Sequence, residues 1–421
     1  MDSPATTGCP GYNSLSGTRH DLGALTMSER AKLCIFFAAP SALLTDHRPH
    51  GDGLVAFGFL SELASRGHEL HVAAQRIDVR TQLPPNVHLH ALGGAGRVPP
   101  LARLAFMRGI RRLYGRLEQT RRFDVVHQLI PVEVGVSLAL ADKRVPVVLG
   151  PYVPDWPAEP SPALLSFATP WAKQVLRAAQ QRRAGVVLLS SPAAASKLSG
   201  AAARRLLVGE LSPGIDDRLF VPGRGGAGQD VLFLASLEPR KGIHVAIDAF
   251  ARLSADLPEA RLLVAGTGSE ADAVRGRVEA LRASDRISLL GAVERDRVST
   301  TMQSCDVYCL PSFGEPFGMT ALEAMACARP VVGTDAGGLR HLISERGGRR
   351  VPPGDPQALA EALRELLTQP GLRRAMGEHN RSLVEDRYRW SRVADRLEGY
   401  YRDAMSRQGH SPTPARTRTT G

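Results

Sequence analysis

Two doubly wound α/β halves, each a parallel sheet with helices on both faces, are what this sequence predicts. From residue 31 onward, short apolar runs alternate with helical patterns, the signature of a parallel sheet. A second series of the same kind starts near residue 229, after a stretch rich in Gly and Pro that reads as a linker. The chain's 421 residues suffice for two ordinary domains, each with its own core. A hydrophobic content of 43% beside 23% charged residues suits a globular chain in water.

In the first half, KLCIFFAAP reads as a strand, followed by the loop HRPHGDG and the amphipathic helix LVAFGFLSELASRG. Gly67 stands where a left-handed helix cap is wanted. HELHVAAQ, VHLHAL, DVVHQLIP, VPVVLGP and GVVLLSSP continue the sheet. In the second half, DVLFLAS, ARLLVAG, RISLLG, DVYCLPS and PVVGT are strands with helices between them. The domains follow: 31–211, a linker over 212–228, and 229–390. Residues 391–405 form an amphipathic helix expected to cross back to the first domain. Residues 1–30 are expected to stand outside the fold, and Met27 opens the first well-patterned stretch, so 1–26 are a disordered extension or lie upstream of the true start. The segment 406–421 is Ser, Thr, Pro, Arg and Gly, too poor in apolar surface to fold alone. In doubly wound halves facing each other, ligands sit at the carboxyl ends of the strands, in the cleft.

Composition narrows the function. The net charge of +11 favours anionic partners such as phosphates or acidic lipid surfaces, the latter by peripheral contact. Basic residues are scattered and aromatics make up only 5%, which speaks against nucleic-acid binding. No stretch reaches the roughly 18 apolar residues of a membrane span, and the first 30 residues lack the apolar core of a signal peptide. The five cysteines (Cys9, Cys34, Cys305, Cys309, Cys327) have neither metal-ligand spacing nor partner histidines. Those in apolar runs read as small hydrophobes, so a cytoplasmic protein in a reducing compartment is expected.

The chemistry concentrates in PSFGEPFGMTALEAMACARPVVGTDAGG, residues 311–338. A strand ends at Ser312, the loop Glu315-Pro316-Phe317-Gly318 follows, and MTALEAMACA is strongly helical. Backbone amides of Phe317, Gly318, Met319 and Thr320 then lie at a helix amino terminus, which favours an anion such as a diphosphate. Glu315 precedes that terminus, and Glu323 lies about one and a half turns into the helix. A carboxylate accepts from two neighbouring hydroxyls, which suits a ribose or hexose diol. A second segment, LASLEPRKGIHVAIDAF, puts Arg240 and Lys241 in a strand-to-helix turn, where cations suit a leaving diphosphate.

With Glu315 and Glu323 separated by seven residues within EPFGMTALEAMACARPVV, and GG following, the sequence resembles the GT-B retaining glycosyltransferases of family 4 over about residues 31–405. The resemblance implies the GT-B fold, with two Rossmann-like domains facing a cleft, and a nucleoside-diphosphate sugar as co-substrate with no separate cofactor. It implies that Glu323 holds the nucleotide ribose, that Glu315 contacts the donor sugar, and that the amides after it hold phosphate and sugar. Lys241-Gly242 matches the family's Lys-Gly turn. The family's usual Arg, directly after a Gly at the strand end, is absent, for that stretch reads Ala235-Ser236; Arg240 is a candidate replacement. RISLLGAVERD resembles the base-binding loop, with backbone near Val293 meeting the nucleobase. Gly51 matches the second of the family's glycine pair before the first helix, and His50 replaces the first. His127, at a strand end, resembles an active-site histidine of a subgroup that also has Gly-Pro after the next strand, here Gly150-Pro151.

The function implied is metal-independent transfer of a hexose to an acceptor hydroxyl with retention, the leaving phosphate itself taking the acceptor proton. There is no Asp-x-Asp metal motif in a suitable loop. The acceptor stays open between a small cyclitol-like or specialised-metabolite molecule and a lipid or polyprenyl at the inner membrane face. A non-catalytic nucleotide-sugar-binding protein is the reading of another class. A dinucleotide oxidoreductase is discarded because APSALLTD, not G-x-G-x-x-G, follows the first strand.

Overall fold

Among the described residues, fifteen strands build two main sheets and a small third one. The computed structural model describes residues 31–39, 41–48, 51–93, 99–129, 136–140, 145–155, 168–200, 207–226, 228–253 and 256–409. The expected extension over 1–30, His50, and residues 410–421 of the expected tail lie outside these.

In the first half the strands are β1 (Cys34–Ala38), β2 (Leu43–Thr45), β3 (Glu69–Ala74), β4 (Arg76–Asp78), β5 (Val87–Ala91), β6 (Val125–Gln128), β7 (Val147–Tyr152), β8 (Val186–Leu189) and β9 (Leu207–Glu210). Seven of them form one sheet in the order β5-β3-β1-β6-β7-β8-β9, and β2 pairs with β4 apart from it. The second half has β10 (Asp230–Leu234), β11 (Arg261–Ala265), β12 (Ile287–Gly291), β13 (Val307–Leu310), β14 (Val331–Thr334) and β15 (Gly348–Val351), in the order β12-β11-β10-β13-β14-β15. Every pairing within the two large sheets is parallel. In each, the strand order reverses beside the first strand, β1 or β10. That reversal is the switch point where a crevice opens at the carboxyl ends.

Two of the strands not anticipated from sequence, β9 and β15, are sheet edges. The charged GRRV of β15 lacks the apolar run that marks central strands, because an edge strand with a solvated side does not need one. The first helix, Gly51–Ser65, ends as expected at Gly67 with φ +85°. Gly67 N–H bonds to the Ala64 carbonyl and His68 N–H to that of Leu63, the double bond of a Schellman cap.

The last helix, Trp390–Arg407, runs two residues beyond the expected end at 405. Its Val393, Leu397, Tyr401, Ala404 and Met405 join the apolar cluster of the first sheet, against Phe59, Leu63 and Val186. The amino end of this helix is fastened by Arg66, whose Nη1 reaches Asp395 at 2.8 Å and Glu398 at 3.0 Å. Chain from beyond the second domain therefore completes the core of the first. The linker is anchored too: Ile215 and Phe220 are buried in the second domain's core, and Ile215 N–H donates to the Tyr388 carbonyl at 2.7 Å.

Candidate nucleotide-sugar site

The loop after β13 and the turn after β10 meet at the carboxyl ends of their strands. Phe313 N–H donates to the Arg240 carbonyl at 3.0 Å, and Gly242, with φ +74°, lies against the Pro311 carbonyl. A Cβ at Gly242 would stand 2.0 Å from that oxygen, so only glycine allows the approach. As a result Lys241 Nζ donates to Glu315 Oε2 at 2.7 Å, and Ser312 Oγ reaches the same oxygen at 3.2 Å. Both partners are largely shielded, with side chains 14% and 11% exposed, so the attraction is little screened by solvent.

The Glu315 segment is held from behind by Gly337 and Gly338. Gly338 N–H donates to the Glu315 carbonyl at 2.6 Å. A Cβ at Gly337 would meet that carbonyl at 2.3 Å, which is the physical reason a glycine pair follows this strand. The helix Met319–Ala326 begins at Gly318, with φ +97°, and no side chain caps its first turn. Phe317 is buried and packs edge-on against Tyr388. Met319 touches the apolar clusters of both domains, which places this helix start at the floor between them. Thr320 gives its hydroxyl to Tyr308 at 2.6 Å, and Tyr308 in turn donates to the Leu234 carbonyl. Burial, with Glu315 and Glu323 nearby, pushes the Tyr308 phenol well above its ordinary pKa.

Glu323 is buried and accepts a hydrogen bond from Arg295 Nη1. Arg295 also lies over the Phe220 ring at 5.1 Å. It lines a cleft of about 990 Å³ together with Val293 and Thr301 of the second domain and His47, Arg48 and Arg80 of the first. Both domains thus wall the cavity, and its size suits a ligand of nucleotide class. Sequence reading placed Val293 at this cleft but missed Arg295 two residues on. The available signal was its position at the start of the helix Arg295–Gln303. His47, Arg48 and Arg80 lie just after the strands of the small sheet β2-β4, which no periodicity announced.

Other expected residues sit differently. Arg240 pairs with Glu238 inside its own turn, while Lys241 reaches across to Glu315. Gly51 is the exposed first residue of its helix, and a Cβ there would meet nothing within 4 Å, so no protein contact demands glycine. His127 is fully buried, not exposed to the cleft. Its Nε2 lies 2.7 Å from the Gly150 carbonyl and its Nδ1 2.7 Å from the Tyr401 hydroxyl. Nε2 therefore carries the proton and Nδ1 accepts, so neither nitrogen is left for a substrate in this arrangement. Burial lowers its pKa to about 4, against a smaller upward pull from Gly150. This geometry is that of a structural histidine tying the first sheet to the last helix. The cysteine reading also needs correction. Cys34 has a histidine and a carboxylate beside it, His71 and Glu69, brought there by the parallel pairing of Cys34 with Glu69 across β1 and β3.

Both halves of the chain match known proteins. Residues 51–216 match the family Glycosyltransferase Family 4, and residues 219–383 match Glycosyl transferases group 1. A phosphatidyl-myo-inositol mannosyltransferase of Mycobacterium leprae is 37% identical over 177 residues, 41% of this chain and 46% of that protein. A D-inositol 3-phosphate glycosyltransferase of Stackebrandtia nassauensis is 34% identical over 220 residues, 48% of this chain and 49% of that one. The chain thus spans about half the length of the curated relatives it matches. Among solved structures, sucrose-phosphate synthase from Thermosynechococcus elongatus aligns with a TM-score of 0.71 at 20% identity, over 90% of this chain and 100% of that one. Anabaena HepE in complex with UDP aligns with a TM-score of 0.68 at 20% identity, over 87% and 99%. At that identity the likeness establishes the fold. Two parallel sheets, with the cleft walled by residues of both halves, make the GT-B architecture. The chain belongs to glycosyltransferase family 4, the glycosyl transferases group 1.

Proposed function

We propose that this protein transfers a hexose from a nucleoside-diphosphate sugar to an acceptor hydroxyl, with retention at the anomeric carbon and without a metal. The observation that carries the reading is the Lys241–Glu315 pair, 2.7 Å apart, beside the start of the helix Met319–Ala326. A sugar diphosphate complements both halves of the pair. Its phosphate oxygens accept from the Lys241 ammonium, and its sugar hydroxyls donate to the Glu315 carboxylate. The ribose hydroxyls similarly suit Glu323, and backbone amides of the helix start suit the diphosphate. As the glycosidic bond breaks, charge grows on the leaving diphosphate, where Lys241 and the helix amino terminus stabilise it. The leaving phosphate then takes the acceptor proton, so catalysis rests on orientation and charge stabilisation with no dedicated strong base. Arg240 substitutes for the absent family Arg if Glu238 releases it.

For the acceptor, a small cyclitol-like molecule is favoured. Both curated relatives named above carry inositol in their acceptor's name, and inositol is a cyclitol. A lipid-linked acceptor at the inner membrane face is the second reading, favoured by the mannosyltransferase's phosphatidyl acceptor and by the net charge of +11. Among the described residues no helix is long and apolar enough to cross a membrane, so such an acceptor would be met from the surface of the bilayer. Incubation with a panel of nucleotide sugars, with and without inositol-type acceptors, tests the reading. Slow sugar release alone and fast transfer with one acceptor are expected. Tight binding with neither hydrolysis nor transfer would instead make the protein a nucleotide-sugar binder.

A further inference from the structure

At the opposite end of the first sheet from the cleft, the amino ends of β1 and β3 bring together a thiol and a carboxylate, with the imidazoles of His71, His88 and His90 alongside. Parallel register sets Cys34 beside Glu69 and His71 beside His88. One ligand atom from each of Cys34, Glu69 and His71 lies within 4.8 Å of the others. Glu69 Oε1 stands 3.4 Å from His71 Nε2 and 3.4 Å from His88 Nε2. Donors around a tetrahedral zinc ion, with bonds of about 2.0–2.3 Å, are separated by roughly 3.3–3.8 Å. The two Glu69–histidine spacings fall in that range, and the Cys34 sulfur lies within 4.8 Å of the Glu69 and His71 donors.

The surroundings point the same way. His71 is buried and stacks on His88, ring centroids 4.4 Å apart. Its Nδ1 lies 3.3 Å from His90 Nε2. A proton on His71 Nδ1 shared with His90 leaves the Nε2 lone pair directed to Glu69, the outer-shell arrangement typical of a metal-binding histidine. His88 and Glu69 are about one-third exposed, 35% and 36%, so an ion has a path in from solvent while His71 closes the far side. Arg121 pairs with the same Glu69 oxygen, and its side chain is 39% exposed. It is a cation already seated where a cation belongs, on a side chain able to swing away. One thiol with imidazole and carboxylate is a borderline donor set suited to zinc rather than to calcium or magnesium.

We propose that Cys34, Glu69 and His71 form a binding site for one zinc ion, with His88 placed to complete it and His90 orienting His71. Binding displaces Arg121 from Glu69 and releases the Cys34 thiol proton to solvent. The ion joins β1 to β3, and through His88 to the edge strand β5. It acts on the stability of the first domain, not on sugar transfer, since the cleft lies at the other ends of these strands.

The test uses the untagged full-length protein after treatment with a chelator, with Zn²⁺ and Co²⁺ salts as probes. Calorimetry in two buffers of different ionisation enthalpy is expected to show one Zn²⁺ per chain with proton release, and melting temperature should rise with Zn²⁺ concentration. Co²⁺ should give a thiolate charge-transfer band that Cys34→Ser abolishes. His90→Ala should weaken zinc binding about 10–100-fold. Arg121→Ala, an exposed and structurally mild change, should tighten it by removing the competing cation. Absence of saturable binding at one ion per chain overturns the proposal. So does a Co²⁺-thiolate band that survives Cys34→Ser, or zinc affinity unchanged in both His90→Ala and Arg121→Ala.

Discussion

Lys241 Nζ lies 2.7 Å from Glu315 Oε2 although 74 residues separate them in the chain. The contact exists because two strand-end loops, each ending in a glycine-enabled approach, are pressed together at the carboxyl edge of β10 and β13. A donor that offers phosphate to the lysine and hydroxyls to the glutamate replaces one ion pair with another and adds charge-assisted hydrogen bonds. Lys241→Ala is therefore expected to lower kcat by about 10²–10³ with a smaller change in donor KM. Glu315→Gln keeps the shape and should also slow transfer. Steady-state rates at saturating acceptor decide this, and wild-type transfer in Lys241→Ala would remove the lysine from the site.

Glu323 is expected to act on binding. Removing a buried carboxylate that accepts from hydroxyls costs about 1.5–3 kcal/mol, so Glu323→Ala should raise the donor KM or Kd roughly 10–100-fold. Calorimetric titration with the nucleoside diphosphate alone measures it. An unchanged affinity would exclude Glu323 from ribose binding.

If Glu323 holds the ribose as proposed, Arg295 must compete for it, because its Nη1 occupies Oε1 of that carboxylate. Arg295→Ala should tighten binding of the nucleoside diphosphate several-fold, on the order of 1 kcal/mol for one exposed-to-buried ion pair. Weaker binding in this variant would show instead that the guanidinium contacts the nucleotide.

Gly242 ties local backbone to the site. Its φ of +74° and the nearby Pro311 carbonyl leave no room for a Cβ. Gly242→Ala should cost about 1–3 kcal/mol in stability and lower transfer by displacing Lys241. Urea unfolding and kcat measured on the same preparation should fall together; a stable variant with normal kcat would contradict the packing argument.

His127 makes stability depend on pH. Burial lowers its pKa to about 4 from 6.5, so the native side chain stays neutral where the unfolded one takes a proton. Stability is full above about pH 6.5 and is lost as pH falls towards 4. His71, lowered to about 4 by burial first and then by His88 and His90, adds in the same direction. The urea midpoint should drop clearly between pH 7 and pH 5. Tyr401→Phe, which leaves Nδ1 of His127 without its donor, should cost a further 1–3 kcal/mol or about that. A midpoint that is flat or rises on acidification would contradict the assignment.

Much of this molecule was legible in its sequence. Central strands such as CIFFA and VYCL are buried on both faces, so their apolar runs announce them. The segment from Glu315 to Glu323 was legible too, because a strand, a loop and a helix start lie within a few residues of one another and local patterning positions their groups. Charged edge strands such as β15 were not, since one solvated side removes the apolar run.

What the sequence by itself determined was the α/β class, its two halves, and the identity of the helix start that faces the cleft. All of these follow from periodicity and near-neighbour geometry. Only the tertiary structure decided which side chains meet across long separations. It joined Lys241 to Glu315 and Arg295 to Glu323, and it took His127 into the core with Tyr401. It also gathered Cys34, Glu69 and His71 at the far edge of the sheet. Parallel strands pair through long crossovers, and the register that aligns their ends is fixed by packing over the whole domain rather than by any local run of residues.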